Sequence, residues 1–160
     1  MALMIDYQKL LYALANEGVE YIIVGGAAAT AHGSSRLTDD LDVVYRRSAE
    51  NITRLSKSLN PFSPYLRGAP PGLPFKFDVE TIKRGLNFTL ATTVGNIDTL
   101  GEIPGGGTYE DLLNHTIKLE LFGVSVLCID LEHLIHVKRA AGRPKDLEAI
   151  SELEAILEAD

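Results

Sequence analysis

The chain has 160 residues, of which 46% are hydrophobic and 23% charged, with a formal net charge of −7. These values exclude a disordered chain and predict one domain over residues 1–160. The one cysteine, Cys128, excludes an internal disulfide and predicts a cytoplasmic setting, and the longest low-polarity stretch (21–31) falls far short of the ~20 residues of a membrane span.

Leu3, Met4, Tyr7, Leu10, Leu11 and Leu14 recur at helical spacing and predict an amphipathic helix over 3–15. Gly18 follows as a left-handed cap. Residues 19–24 are β-branched and aromatic, as in a buried strand. Gly25-Gly26 breaks that strand, and a small helix is predicted over 27–32. After a polar loop over 34–39, Leu41, Val43 and Val44 alternate with Asp40 and Asp42 in a strand pattern. Ser48 caps a helix that runs to Leu59.

Residues 60–75 hold five of the seven prolines and read as a long loop, either a lid or a mobile segment. A short helix follows Asp78, then a strand pair over 86–92 and 96–100 and a glycine-rich loop at 104–107. One helical turn is predicted at 109–113, and a hairpin over 117–121 and 124–129 turns at Gly123. Asp130 caps a helix over 131–141, and Pro144 opens a last one over 145–157. The apolar face of that last helix either covers the sheet or makes a dimer contact. Six of the 22 acids follow Lys145, so the rest of the chain is near neutral and shows no basic stripe for nucleic acid. The element order predicts an α+β fold, a mixed sheet with helices packed mainly on one face.

Asp40-Leu41-Asp42 carries the chemistry. Residues two apart on a strand share a face, roughly 6.5–7 Å apart along the chain. Adjacent carboxylates repel, and a divalent cation is the usual means of keeping both ionised. Oxygen ligands so placed can bracket two Mg²⁺ ions ~3.5–4 Å apart. Gly25-Gly26, where strand becomes helix, lets a phosphate approach the backbone. Cys128 is read as buried and inert, and His133 and His136 as helix surface.

Gly25-Gly26, Ala28, His32-Gly33, Arg36, Thr38 and Asp40-Leu41-Asp42 together resemble the signature of the polymerase-beta-type nucleotidyltransferase superfamily. The form is closest to small bacterial members related to AbiEii-type toxins and uncharacterised nucleotidyltransferase-like proteins. Lys138-Arg139-Ala140-Ala141-Gly142-Arg143-Pro144-Lys145-Asp146 is similar to their C-terminal pattern. The resemblance implies a nucleotidyltransferase fold and a third carboxylate, for which Asp98 is the candidate, with Asp78 and Glu80 as runners-up. It implies that Asp40, Asp42 and Asp98 are catalytic and hold two Mg²⁺. It implies a nucleoside triphosphate substrate, with Gly25, Gly26, Thr30, Arg36, Thr38, Lys138 and Lys145 as candidate nucleotide contacts. The acceptor hydroxyl stays open among RNA, protein and small molecules. A toxin role, with an antitoxin partner or a homodimer, rests on the resemblance alone. The chain departs from the pattern at Gly26, where many relatives have a serine that contacts phosphate. That departure supports the alternative of a catalytically silent nucleotide-binding or interaction protein.

Overall fold

A computed structural model describes residues 5–36 and 38–159. Leu3 and Met4, with which the first helix was expected to begin, lie outside the described residues. Helix α1 (Tyr7–Asn16) starts at Asp6, whose carboxylate accepts the Lys9 amide, and it buries Leu10, Leu11 and Leu14. Strand β1 (Tyr21–Val24) runs directly into α2 (Gly25–Ala31), so the two glycines are the first turn of the helix rather than a break before it. Strand β2 (Asp40–Tyr45) pairs antiparallel with β1 and leads to α3 (Ala49–Leu59), which Ser48 caps. Buried Asn51 ties α3 to the strand ends: its amide donates to Glu20 O at 2.9 Å and Arg46 O at 2.8 Å.

The proline-rich segment is not loop throughout. A 3-10 turn (Asn60–Phe62) precedes β3 (Tyr65–Leu66). Two β-forming residues between prolines suffice for a strand, and the prolines confine it to a sheet edge, where missing donors are tolerated. Helix α4 (Val79–Arg84) follows the Asp78 cap, then β4 (Asn87–Thr92) and β5 (Gly95–Leu100) form the expected hairpin. The segment expected as a flexible loop at 104–107 joins β6 (Glu102–Ile103) to β7 (Gly107–Thr108), and α5 (Tyr109–Leu112) comes next. Strands β8 (Thr116–Leu121) and β9 (Val124–Ile129) pair antiparallel, and α6 (Leu131–Ala141) and α7 (Pro144–Ala159) end the described chain.

The fold is α+β, with a seven-stranded mixed sheet in the order β3-β4-β5-β2-β1-β9-β8. Two parallel pairings between strands distant in sequence, β2 with β5 and β1 with β9, set its centre. Leu41, Val43 and Ile97 on the central strands are fully buried. Among the described residues no helix is long and apolar enough to cross a membrane.

Candidate active site

Asp40 and Asp42 lie on one face of β2 because strand side chains alternate. The parallel register of β2 and β5 sets Asp42 beside Asp98. Carboxylate oxygens of all three residues lie within 4.8 Å of one another. The antiparallel register of β1 and β2 places Val24 opposite Asp42, so the start of α2 arrives at the same point.

Both glycines are there because there is no room for a side chain. A Cβ on Gly25 would lie 2.1 Å from Asp42 Oδ2, and Gly25 also has φ +63°, a conformation that glycine adopts without strain. A Cβ on Gly26 would lie 2.8 Å from Thr38 Oγ1. Any larger residue at this position would meet the Thr38 hydroxyl, which gives the glycine there a steric reason. Thr38 Oγ1 donates to the Asp40 backbone oxygen at 3.1 Å and to Asp40 Oδ1 at 3.3 Å, fixing the first carboxylate of the strand.

The cluster is electrostatically loaded. Burial, then the charges of Asp40 and Asp98, push the Asp42 carboxyl up to about 8 against the opposing pull of Arg67. Burial and Asp98 raise Asp40 in the same way. Asp42 Oδ1 is buried with no hydrogen-bond partner among the described residues. Three carboxylates, one of them with an orphaned oxygen, fit a divalent cation of the Mg²⁺ type. A pH dependence follows with a definite sign. Below pH 8 an ion must displace the Asp42 proton, so apparent affinity should rise up to tenfold per pH unit and level off above pH 8. Calorimetry in two buffers of different ionisation enthalpy counts the released proton. An affinity flat from pH 6 to 9 would contradict this assignment.

Gly25, Gly26, Arg36, Thr38 and the three carboxylates line a cavity of about 340 Å³ whose other wall carries Lys138, Arg143, Lys145 and Asp146. Lys138 comes from α6 and is depressed in pKa, chiefly by burial, while the Asp146 and Asp42 charges oppose that shift. Asp146, 2% exposed, accepts from Arg143 Nε at 2.7 Å and pairs with Lys138 Nζ at 3.9 Å. Burial works against its ionisation, but the Arg143 hydrogen bonds and the Lys138 charge outweigh that and hold it below the usual carboxylate range. The ion pair therefore orients both cations at the helix break. A second cavity, about 450 Å³, opens beside Asp42 and Asp98 and has apolar walls including Leu100, Ile103, Leu134 and Val137.

The placement of Thr30 does not support a nucleotide contact. Its hydroxyl bonds back to the Gly26 carbonyl at 3.1 Å, and it lines a separate apolar groove with Tyr7, Leu41 and Phe122. Asp78 and Glu80 belong to the start of α4, where Asp78 accepts the Thr81 amide at 2.9 Å. Cys128 is buried, and burial pushes its thiol up to about 12, so it is inert.

Two residues escaped the sequence reading as members of the site. Arg67 follows β3 and donates through Nη2 to Asp98 Oδ1 at 2.6 Å, while Nη1 lies 3.6 Å from Asp40 Oδ2. The available signal was that Arg67 is the only charged residue in 60–75. Asp146 was visible as an acid in the first turn after a basic run, but its burial was not.

No family profile matches the sequence, and no curated protein matches it. Solved structures do resemble the fold. A presumed nucleotidyltransferase from Thermotoga maritima aligns over 99% of this chain and 98% of its own, with TM-score 0.56 and 16% identity. The lincosamide antibiotic adenylyltransferase LnuA, in its lincomycin-bound form, aligns over 96% and 99%, with TM-score 0.61 and 14% identity. The antibiotic-resistance factor ANT(2'')-Ia, in complex with adenylyl-2''-tobramycin, aligns over 94% and 92%, with TM-score 0.53 and 16% identity. Alignment over nearly the whole length of each chain thus gives this chain the fold of the nucleotidyltransferases.

Proposed function

We propose that this protein transfers a nucleoside monophosphate from a nucleoside triphosphate to a hydroxyl group of a small molecule. The observation that carries this reading is the convergence of Asp40, Asp42 and Asp98, with an orphaned Asp42 oxygen, against the glycine turn that opens α2. Asp40, Asp42 and Asp98 would hold the divalent ion, which when bound neutralises charge on the phosphate oxygens. The triphosphate lies along the cavity between Gly25-Gly26 and the cationic wall of Lys138, Arg143 and Lys145, with Arg36 at its rim. The acceptor enters beside Asp98. Its hydroxyl oxygen attacks the α-phosphorus and forms the new P–O bond. The bond from the α-phosphorus to the α,β-bridging oxygen breaks, pyrophosphate leaves with that electron pair, and the hydroxyl proton passes to a carboxylate of the cluster.

Two features support a small acceptor over RNA. The cavity beside Asp98 is apolar and of a size for one small molecule, and residues 1–145 carry no excess of basic side chains for a phosphate backbone. Two of the similar structures bear small antibiotics or their adenylyl derivative. Nucleoside triphosphates and a reduced Cys128 both suit a cytoplasmic enzyme.

The test is incubation with each α-labelled triphosphate, Mg²⁺ and a cell extract fractionated by size. Label should appear in a small-molecule fraction, with one pyrophosphate released per label transferred. Label in RNA or protein would remove the small-molecule assignment. Nucleotide binding by calorimetry without pyrophosphate release would instead identify a catalytically silent binding protein.

A further inference from the structure

The guanidinium of Arg67 is built into the carboxylate cluster rather than resting against it. The backbone of Arg67 extends the β3–β4 ladder, with its N–H donating to Thr89 O at 3.0 Å. Its Nη2 donates both to Leu90 O at 3.0 Å and to Asp98 Oδ1 at 2.6 Å. Its Nη1 lies 3.6 Å from Asp40 Oδ2, and the side chain is 30% exposed. A backbone carbonyl of β4 and Asp98 thus hold Nη2, while Nη1 makes a longer ionic approach to Asp40 and the buried Nε has no hydrogen-bond partner among the described residues. A fixed planar fork of this kind loses little freedom on binding carboxylates.

The three carboxylates are not treated alike. Arg67 pairs closely with Asp98 and more distantly with Asp40, and Asp42 receives no hydrogen bond from it; Asp42 Oδ1 is the one buried carboxylate oxygen without a partner among the described residues. Arg67 thus occupies the Asp40–Asp98 edge, while the Asp42 vertex keeps a buried oxygen without a partner among the described residues. A second dication sharing Asp98 would have to stand against a guanidinium already bonded to the same carboxylate.

We propose that Arg67 is the resident cation of the Asp40–Asp98 edge, and that this site consequently binds one divalent ion, centred on Asp42 with the remaining oxygens of Asp40 and Asp98 beside it, where two were expected from the carboxylates alone. Arg67 acts as a positioning residue: it orients Asp98 and supplies positive charge that a second ion would otherwise bring. The inference rests on the nucleotidyltransferase reading, and it narrows the metal requirement of that same site.

Mn²⁺ titration of the nucleotide-free full-length protein, followed by calorimetry and by the electron paramagnetic resonance signal of unbound ion, counts the sites directly. Wild type should bind one ion per chain, Arg67→Lys one, and Arg67→Gln two. In the labelling assay the dependence of rate on free Mg²⁺ should become steeper, from first toward second order, in Arg67→Gln. A wild-type count other than one, or an Arg67→Gln count still equal to wild type, overturns the proposal. Circular dichroism checks the fold of each variant, and Arg67→Met, of similar length, replaces the Gln variant if that one does not fold. Absence of pyrophosphate release from wild type would sink the transfer reading but would leave the ion count, and hence the role of Arg67, to be decided by the Mn²⁺ data.

Discussion

Asp42→Asn should abolish nucleotidyl transfer, by on the order of 10³-fold or more, and at the same time make the metal-free protein more stable. The loss follows from removing a cluster carboxylate whose buried Oδ1 has no hydrogen-bond partner among the described residues. The gain follows from linkage. The folded carboxyl titrates near 8 rather than at its ordinary 3.8, so the folded state holds a proton that the unfolded state gives up. No cost exists below pH 4, where both states are protonated. It accumulates as pH rises from about 4 to 8 and is fully present above that. At ~1.4 kcal/mol per pH unit over about four units the burden reaches roughly 5 kcal/mol, which corresponds to a rise in Tm of roughly 10–20 °C for the Asn variant at pH 9. At pH 4 the two proteins should melt within a degree or two of each other. Thermal melts of both proteins at the two pH values, in a chelator, give the comparison. A variant less stable than wild type at pH 9 would refute the electrostatic account.

Gly25→Ala should be the most damaging conservative change. The methyl group would lie 2.1 Å from Asp42 Oδ2, in a residue held at φ +63°. Left-handed backbone costs a non-glycine residue about 1–2 kcal/mol, and displacing a buried carboxylate adds to it. A total of roughly 2–4 kcal/mol lowers Tm by about 5–15 °C. Activity should fall by at least about 10²-fold, because a shift of even ~1 Å in a positioned catalytic group has that effect. Gly18→Ala is the control. Gly18 has nearly the same φ, +69°, but among the described residues nothing lies within 4 Å of its Cβ position. It should lose only the backbone strain and keep full activity. Equal activity loss in the two variants would mean that the contact with Asp42 is not what matters.

The site was partly legible because two of its components are local. A two-residue period puts Asp40 and Asp42 on one face whatever the rest of the chain does. A glycine pair at a strand-to-helix junction signals close approach without naming what approaches. Arg67 was not legible, since its role depends on the chain of pairings from β3 through β4 to β5. Nor was the burial of Asp146, which requires α7 to fold back against α6 after Pro144. Thr30 went the other way: one helical turn from Gly26 is close in sequence, yet its hydroxyl is spent on the Gly26 carbonyl and its face of the helix turns toward Tyr7 and Phe122.

By itself the sequence determined the elements, their caps and the pair of carboxylates on β2, because helix period, strand alternation and capping involve neighbours a few residues apart. Tertiary structure decided which distant strand lies beside β2, and hence that Asp98 completes the cluster and that Arg67 neutralises one edge of it. Parallel pairing between β2 and β5 joins residues more than fifty apart in the chain, such as Asp42 and Asp98. Its register is set by the packing of the whole sheet, a free energy that no short stretch of residues contains.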